Sequence, residues 1–127
     1  MIVDETAGSG GDLLPWMFRK AQLGPIVGTR TWGGLVGNLE IHTLMDGGTI
    51  TAPNIGGWSP EDGWIVENEG VPPDVEVEDS PQSLLTGHDP QLEKAIEVAM
   101  QALKAQPSST PQRPAYPNRV TPASAPR

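Results

Sequence analysis

The sequence predicts a mixed α/β fold, and three observations carry that expectation. The apolar pair Ile2-Val3 reads as the end of a buried strand entering a loop. Behind it, Leu13, Leu14, Met17, Phe18 and Ala21 recur at helical spacing and lead into a second short apolar strand, Ile26-Val27-Gly28. Further on, Leu92, Ala95, Ile96, Ala99, Met100 and Leu103 form a continuous apolar stripe at i, i+3, i+4, i+7, i+8 and i+11, the pattern of an amphipathic helix.

The elements follow in order. The first helix is expected from Ser9 or Asp12 to Gln22, where Gly24-Pro25 stops it. Pro15 suits a first turn and would break a helix interior. Ile26-Val27-Gly28 reads as a central, buried strand, followed by a turn-forming loop over 29–34. Leu39 to Met45 alternates as a strand does, Asp46-Gly47-Gly48 is a hairpin signal, and Thr49 to Ala52 returns until Pro53. Residues 54–62 read as loop, and Trp64 to Glu67 as a short strand or extended segment. A further loop over 68–74 precedes the brief extended stretch Val75-Glu76-Val77. In the last helix Asp89 caps, Pro90 takes the first position, and the chain stays helical to about Ala105. Its apolar stripe is expected to dock, with Glu93 and Glu97 on the solvated side.

Composition bounds the rest. At 127 residues the chain holds at most one domain, and its 14 prolines and 15 glycines call for many turns. The stretch 107–127 contains six prolines and little apolar periodicity, which reads as a disordered tail after a folded part over 1–106. Sixteen acidic against eight basic residues give a net charge of −8, which disfavours nucleic acid and anionic membrane surfaces as partners. Without cysteine there is neither a disulfide nor a thiolate metal site. No apolar run approaches the ~20 residues of a membrane span. Met1 to Glu5 has neither the basic nor the long apolar region of a signal peptide. A fold that opens on the last residues of a strand is expected to be the C-terminal piece of a larger protein.

Ala7-Gly8-Ser9-Gly10-Gly11-Asp12 is the stretch closest to chemistry. A serine among glycines, just ahead of a helix, has little steric cover and faces unpaired N–H groups and a partial positive charge. Both suit a nucleophile whose reaction builds an oxyanion. The plain alternative is a Gly/Ser turn before a helix. The segment is not a P-loop, since no Lys-Ser/Thr follows, and not Gly-x-Ser-x-Gly, since position 7 is Ala. A nucleophilic serine needs a base, and the two histidines suit the part poorly. His42 reads as a strand residue and His88 as a surface residue before a helix. Glu67 ends an apolar run, whereas Glu69, Asp74, Glu76 and Glu78 read as a solvated acidic edge with no compact metal-binding spacing. The four tryptophans could line a groove or cover a core edge.

Five segments in series resemble one family. They are Ser9-Gly10-Gly11-Asp12 with Pro15 and Phe18; Leu23 to Gly34; Asp46-Gly47-Gly48; Val66-Glu67-Asn68 with Gly70-Val71 and Pro73 to Val77; and Gly87 with Asp89 to Leu92. In this order and spacing, over about residues 1–104, the chain is similar to the C-terminal part of the tricorn-type tail-specific proteases, serine peptidases of family S41. The resemblance implies an α/β core of crotonase or Clp-protease type. It places the nucleophile at Ser9, an oxyanion-hole amide at Gly10 N–H, and the glutamate of a Ser-His-Ser-Glu tetrad at Glu67. The family's histidine, second serine and other oxyanion-hole amide lie well upstream of the nucleophile. Two departures stand out: family members often carry an acidic residue where this chain has Gly10, and Ser where it has Ala7. The resemblance further implies a peptide substrate, no cofactor or metal, the upstream part of the same protein as a partner, a homo-oligomer, and a cytoplasmic location. A non-catalytic peptide-binding or oligomerisation module is the alternative.

Overall fold

A computed structural model describes residues 1–39, 41–106 and 111–117. The element order is β1 (Ile2–Val3), α1 (Gly10–Lys20), β2 (Val27–Gly28), β3 (Ile41–Thr43), β4 (Thr49–Thr51), β5 (Trp58–Ser59), β6 (Gly63–Trp64), β7 (Val75–Glu76), α2 (Pro81–Leu85) and α3 (Pro90–Ala105). The chain is therefore mixed α/β. Three short parallel strands form the central sheet in the order β1-β2-β7, with Ile2 beside Val27 and Val27 beside Val75. Parallel neighbours require a crossover, and α1 supplies it between β1 and β2.

The apolar signals explain the middle of the sheet. Ile26 and Val27 are fully buried; Ile26 sits with Val3, Ile65, Val66 and Val71 in one small core, while Val27 lines a hollow beside the last helix. Leu13, Trp16 and Phe18 of α1 pack against that core from one side. Position 28 must be glycine. Gly28 has φ 130°, and a Cβ there would lie 1.8 Å from the Val3 carbonyl oxygen. The strands β1 and β2 therefore approach closer than any side chain permits.

Several expectations need correction. Pro15 lies in the second turn of α1 rather than the first, and it is buried; the helix runs through it, giving up one main-chain hydrogen bond. The strand expected over 39–45 shrinks to β3, which with β4 forms an antiparallel hairpin whose residues are all exposed. Residues 54–62 are not all loop, because Trp58–Ser59 pairs with Gly63–Trp64. Trp32, Trp58 and Trp64 are exposed, so only Trp16 covers a core edge. The short helix α2 follows Ser80, whose hydroxyl accepts the Ser83 N–H; Ser80-Pro81 is a helix-start signal.

Helix α3 starts as the sequence suggests, with the Asp89 carboxylate accepting the Leu92 N–H at 2.8 Å and Pro90 in the first turn. It lies across β1 and β2. Its contact face differs from the expected stripe. Ala95, Val98, Ala99 and Ala102 line a hollow with Phe18, Leu23 and Val27, whereas Leu92, Ile96, Met100 and Leu103 are about half exposed. Small side chains let the helix approach the sheet closely, and that turns the larger ones outward. Of the expected tail, 107–110 and 118–127 lie outside the described residues, and 111–117 is exposed without helix or strand. Among the described residues, no helix is long and apolar enough to cross a membrane.

Candidate active site

Loops that follow the carboxyl ends of β1 and β2 build one cleft, the usual place for a site in a parallel sheet. Ser9 closes the first loop as the residue before α1. It has φ 54° and ψ −109°, and Gly11 N–H donates to Gly8 O across it at 2.8 Å. These are the dihedrals of the first central position of a type II′ turn, where glycine is normally required. A serine held there costs about 1–3 kcal/mol of backbone strain. Serine before a helix usually caps it, but the Ser9 hydroxyl makes no cap bond and the residue is exposed. Gly10 N–H, at the first helical position, has no acceptor among the described residues. Ser9 lines the cleft, and the Gly10 N–H follows it directly in the chain at the positive end of α1.

Glu67 reaches the same cleft from the opposite loop. The extended reading of 64–67 fails here. Glu67 N–H donates to Ile65 O at 2.7 Å across Val66, which has φ 68°. That is a γ-turn of the rare positive-φ kind, and a β-branched residue at its centre is a strong outlier. Val66 can hold it because its side chain is locked in the core. Asn68 follows at φ 61°, its N–H bonded to Gly33 O at 2.7 Å. The double bend turns the Glu67 carboxylate inward, where Oε2 accepts Leu35 N–H at 2.7 Å and Val36 N–H at 2.8 Å.

Between these two loops runs Trp32-Gly33-Gly34-Leu35-Val36. Asp12, fully buried, accepts Gly33 N–H on Oδ1 at 2.8 Å and Gly34 N–H on Oδ2 at 3.0 Å. Gly34 O in turn accepts Ser9 N–H at 3.0 Å. The Trp32 ring lies so close to Gly8 and Gly34 that a Cβ on either would come within about 2.6 Å of it. The resulting open cleft, about 550 Å³, has Ser9, Arg30, Trp32, Thr51 and Glu67 among its walls. Among the described residues Arg30 is the one cation on that wall, and its Nη1 donates to Glu69 O. An adjoining hollow of about 560 Å³ shares Val36, Pro53, Glu67 and Asn68 and extends to Ile55 and Trp64.

Of the residues singled out in the sequence, Ser9, Trp32 and Glu67 line this cleft, and Gly10 is not on its wall. The histidines do not line it. His42 lies on the exposed hairpin, and His88 is exposed with Nδ1 3.1 Å from Glu93 Oε1. Asp74 is more than a solvated carboxylate. Its Oδ2 accepts Ile26 N–H at 2.7 Å and its Oδ1 pairs with Arg19, which ties the start of β7 to β2. Asp12 escaped the sequence reading, which treated it only as part of a motif. An acidic residue in a first helical turn ordinarily faces solvent, so nothing local marked it; its partners lie 21 and 22 positions away. Among the described residues, no group of three or more His, Asp or Glu side chains is placed to hold a metal ion.

The profile of peptidase family S41 matches residues 1–77. The chain belongs to peptidase family S41. Among curated S41 relatives, the tricorn protease of Thermoplasma acidophilum is 44% identical over 113 residues, covering 89% of this chain and 11% of that protein. Tricorn protease homolog 1 of Streptomyces coelicolor is 44% identical over 110 residues, covering 87% of this chain and 10% of its own length. A crystal structure of the tricorn protease superposes with a TM-score of 0.74 at 44% identity, over 81% of this chain and 10% of the solved one. The S41 chain described here thus spans about a tenth of the length of these relatives.

Proposed function

We propose that this chain carries part of the active centre of a tricorn-type serine peptidase, with residues 1–106 forming the C-terminal part of a crotonase- or Clp-protease-like catalytic domain. Ser9 attacks the scissile carbonyl of a short peptide or of a protein's C-terminal tail and forms an acyl-enzyme. Gly10 N–H, at the end of α1, stabilises the tetrahedral oxyanion; one such donor is worth roughly 10²–10³ in rate. Glu67 acts on the catalytic histidine through a second serine, and both of these residues come from the upstream part of the protein. The whole assembles as a cytoplasmic homo-oligomer.

The observation that carries this reading is the backbone of Ser9. The chain tolerates a serine at a glycine position, with its hydroxyl uncapped beside an unpaired N–H, on the wall that Glu67 shares. Strain of this kind gathers at functional sites. Exposed apolar side chains on the hairpin and on α3, Ile41, Leu44, Met45, Ile50, Ile96 and Met100 among them, support a larger assembly around this core.

The test compares two forms of the protein, the 127 residues alone and the full product of the gene. With neither histidine on the cleft wall, the 127-residue chain is expected to show no turnover of short peptides and no fluorophosphonate label on Ser9. The full product is expected to do both. Glu67→Gln in that product should lower kcat by about 10–100-fold and leave the melting temperature within a few degrees, because the amide oxygen still accepts the Leu35 and Val36 N–H groups. A full product that binds peptides but neither cleaves them nor takes the label on Ser9 would instead establish the non-catalytic binding module.

A further inference from the structure

We propose that Asp12 is a positioning residue that sets the conformation of Ser9 through the strap 33–36; this rests on the reading of Ser9 as nucleophile. The strap has an unusual hydrogen-bond pattern. Four consecutive main-chain N–H groups all donate to carboxylates: those of Gly33 and Gly34 to Asp12, and those of Leu35 and Val36 to Glu67. Two carbonyls of the same strap hold the residues on either side of the cleft. Gly34 O accepts Ser9 N–H, and Gly33 O accepts Asn68 N–H. Ser9 and Glu67 are therefore registered against each other through one short piece of backbone, with Asp12 fixing one half of it.

The packing leaves that backbone no slack. Gly33 has φ 85°, and a Cβ there would lie 2.6 Å from Gly70 N; a Cβ on Gly34 would meet the Trp32 ring at 2.5 Å. Asp12 itself is fully buried in the first turn of α1, three residues after Ser9. A rigid helix turn thus connects the carboxylate to the serine on one side, and the Gly34 peptide connects them on the other. Ser9 sits inside this closed loop of covalent and hydrogen bonds. Its N–H direction, and with it the φ of 54°, is dictated by where Gly34 O points. At Asp12 the two N–H donors go to separate oxygens, Gly33 to Oδ1 and Gly34 to Oδ2, and only a carboxylate has an acceptor at both positions. An asparagine offers one, and its amide group confronts the second N–H, so the strap must rotate.

The experiment uses the full product of the gene and the variant Asp12→Asn. Expected is a 10–100-fold fall in kcat with KM changed less than about twofold, since misplacing a nucleophile by about 1 Å costs up to 10²-fold without altering distant substrate contacts. The rate of fluorophosphonate labelling at Ser9 should fall by the same factor. Any loss of stability is separated by a second variant, Val27→Ala, in the buried strand on the α3 side of the sheet; matched for melting temperature, it should keep kcat and labelling rate. Three results overturn the proposal. Asp12→Asn matching Val27→Ala in both rates removes Asp12 from positioning while Ser9 still takes the label. A raised KM with kcat unchanged makes Asp12 a residue of substrate binding. An unmutated protein that takes no label at Ser9, with Ser9→Ala keeping full turnover, removes the nucleophile reading and this one with it.

Discussion

Ser9→Gly in the full gene product is expected to be more stable than the parent and catalytically dead. The two effects have one origin. Ser9 occupies φ 54° and ψ −109°, dihedrals that glycine adopts freely and that strain any L side chain. Relief of that strain outweighs the extra freedom glycine gives the unfolded chain, and the net gain is about 1 kcal/mol. The same change deletes the hydroxyl, so turnover should fall by roughly 10⁶-fold, to background. Ser9→Ala is the partner measurement. Alanine lacks the hydroxyl but keeps the strained Cβ, so it should be as inactive as glycine without gaining stability. Denaturant midpoints and kcat for the three proteins decide the matter. A glycine variant no more stable than the alanine variant would mean that the turn carries no strain. An active glycine variant would mean that Ser9 is not the nucleophile.

Gly28→Ala should have the largest effect on stability. The added methyl would sit 1.8 Å from the Val3 carbonyl oxygen, at a φ of 130° that alanine resists. The atoms it would meet are main-chain atoms of Val3 in the central sheet, not a side chain that can swing away. Separating β1 from β2 would break the parallel pairing and open the core around Val3 and Ile26. A loss of more than about 4 kcal/mol is expected, at the extreme of single substitutions. Circular dichroism should show the cooperative transition lost or shifted to far lower denaturant. Gly47→Ala makes a fair control, because nothing lies within 4 Å of a Cβ at that hairpin tip and only the positive φ opposes it.

The parts of the fold legible in the sequence were those set by local pattern. Helix α3 announced itself by its cap, its proline and its apolar spacing, and β2 by two β-branched residues ahead of a glycine. Which face of α3 docks was not legible, because hydrophobicity ranked Leu92 and Met100 above the alanines, while the close approach to the sheet favoured the alanines. The turn at Val66 was hidden for a related reason. Nothing in Trp64-Ile65-Val66-Glu67 marks a positive φ, and a β-branched residue argues against one; only the burial of Val66 in the core compels it. The site divided likewise. Ser9, Gly10 and Glu67 stood out through their motifs, whereas Asp12 and the strap became visible only when long-range hydrogen bonds joined residues more than twenty positions apart.

The strap over 33–36 also constrains how a peptide can be held. Extended peptides are commonly recognised by adding a strand to an edge whose main-chain N–H groups face outward. Here all four N–H groups of the strap already donate to Asp12 and Glu67. This wall of the cleft cannot template a strand. If, as proposed, a peptide lies along it, the strap offers that peptide no N–H donor, and only carbonyls and side chains such as Trp32 and Arg30 are left to hold it on this side.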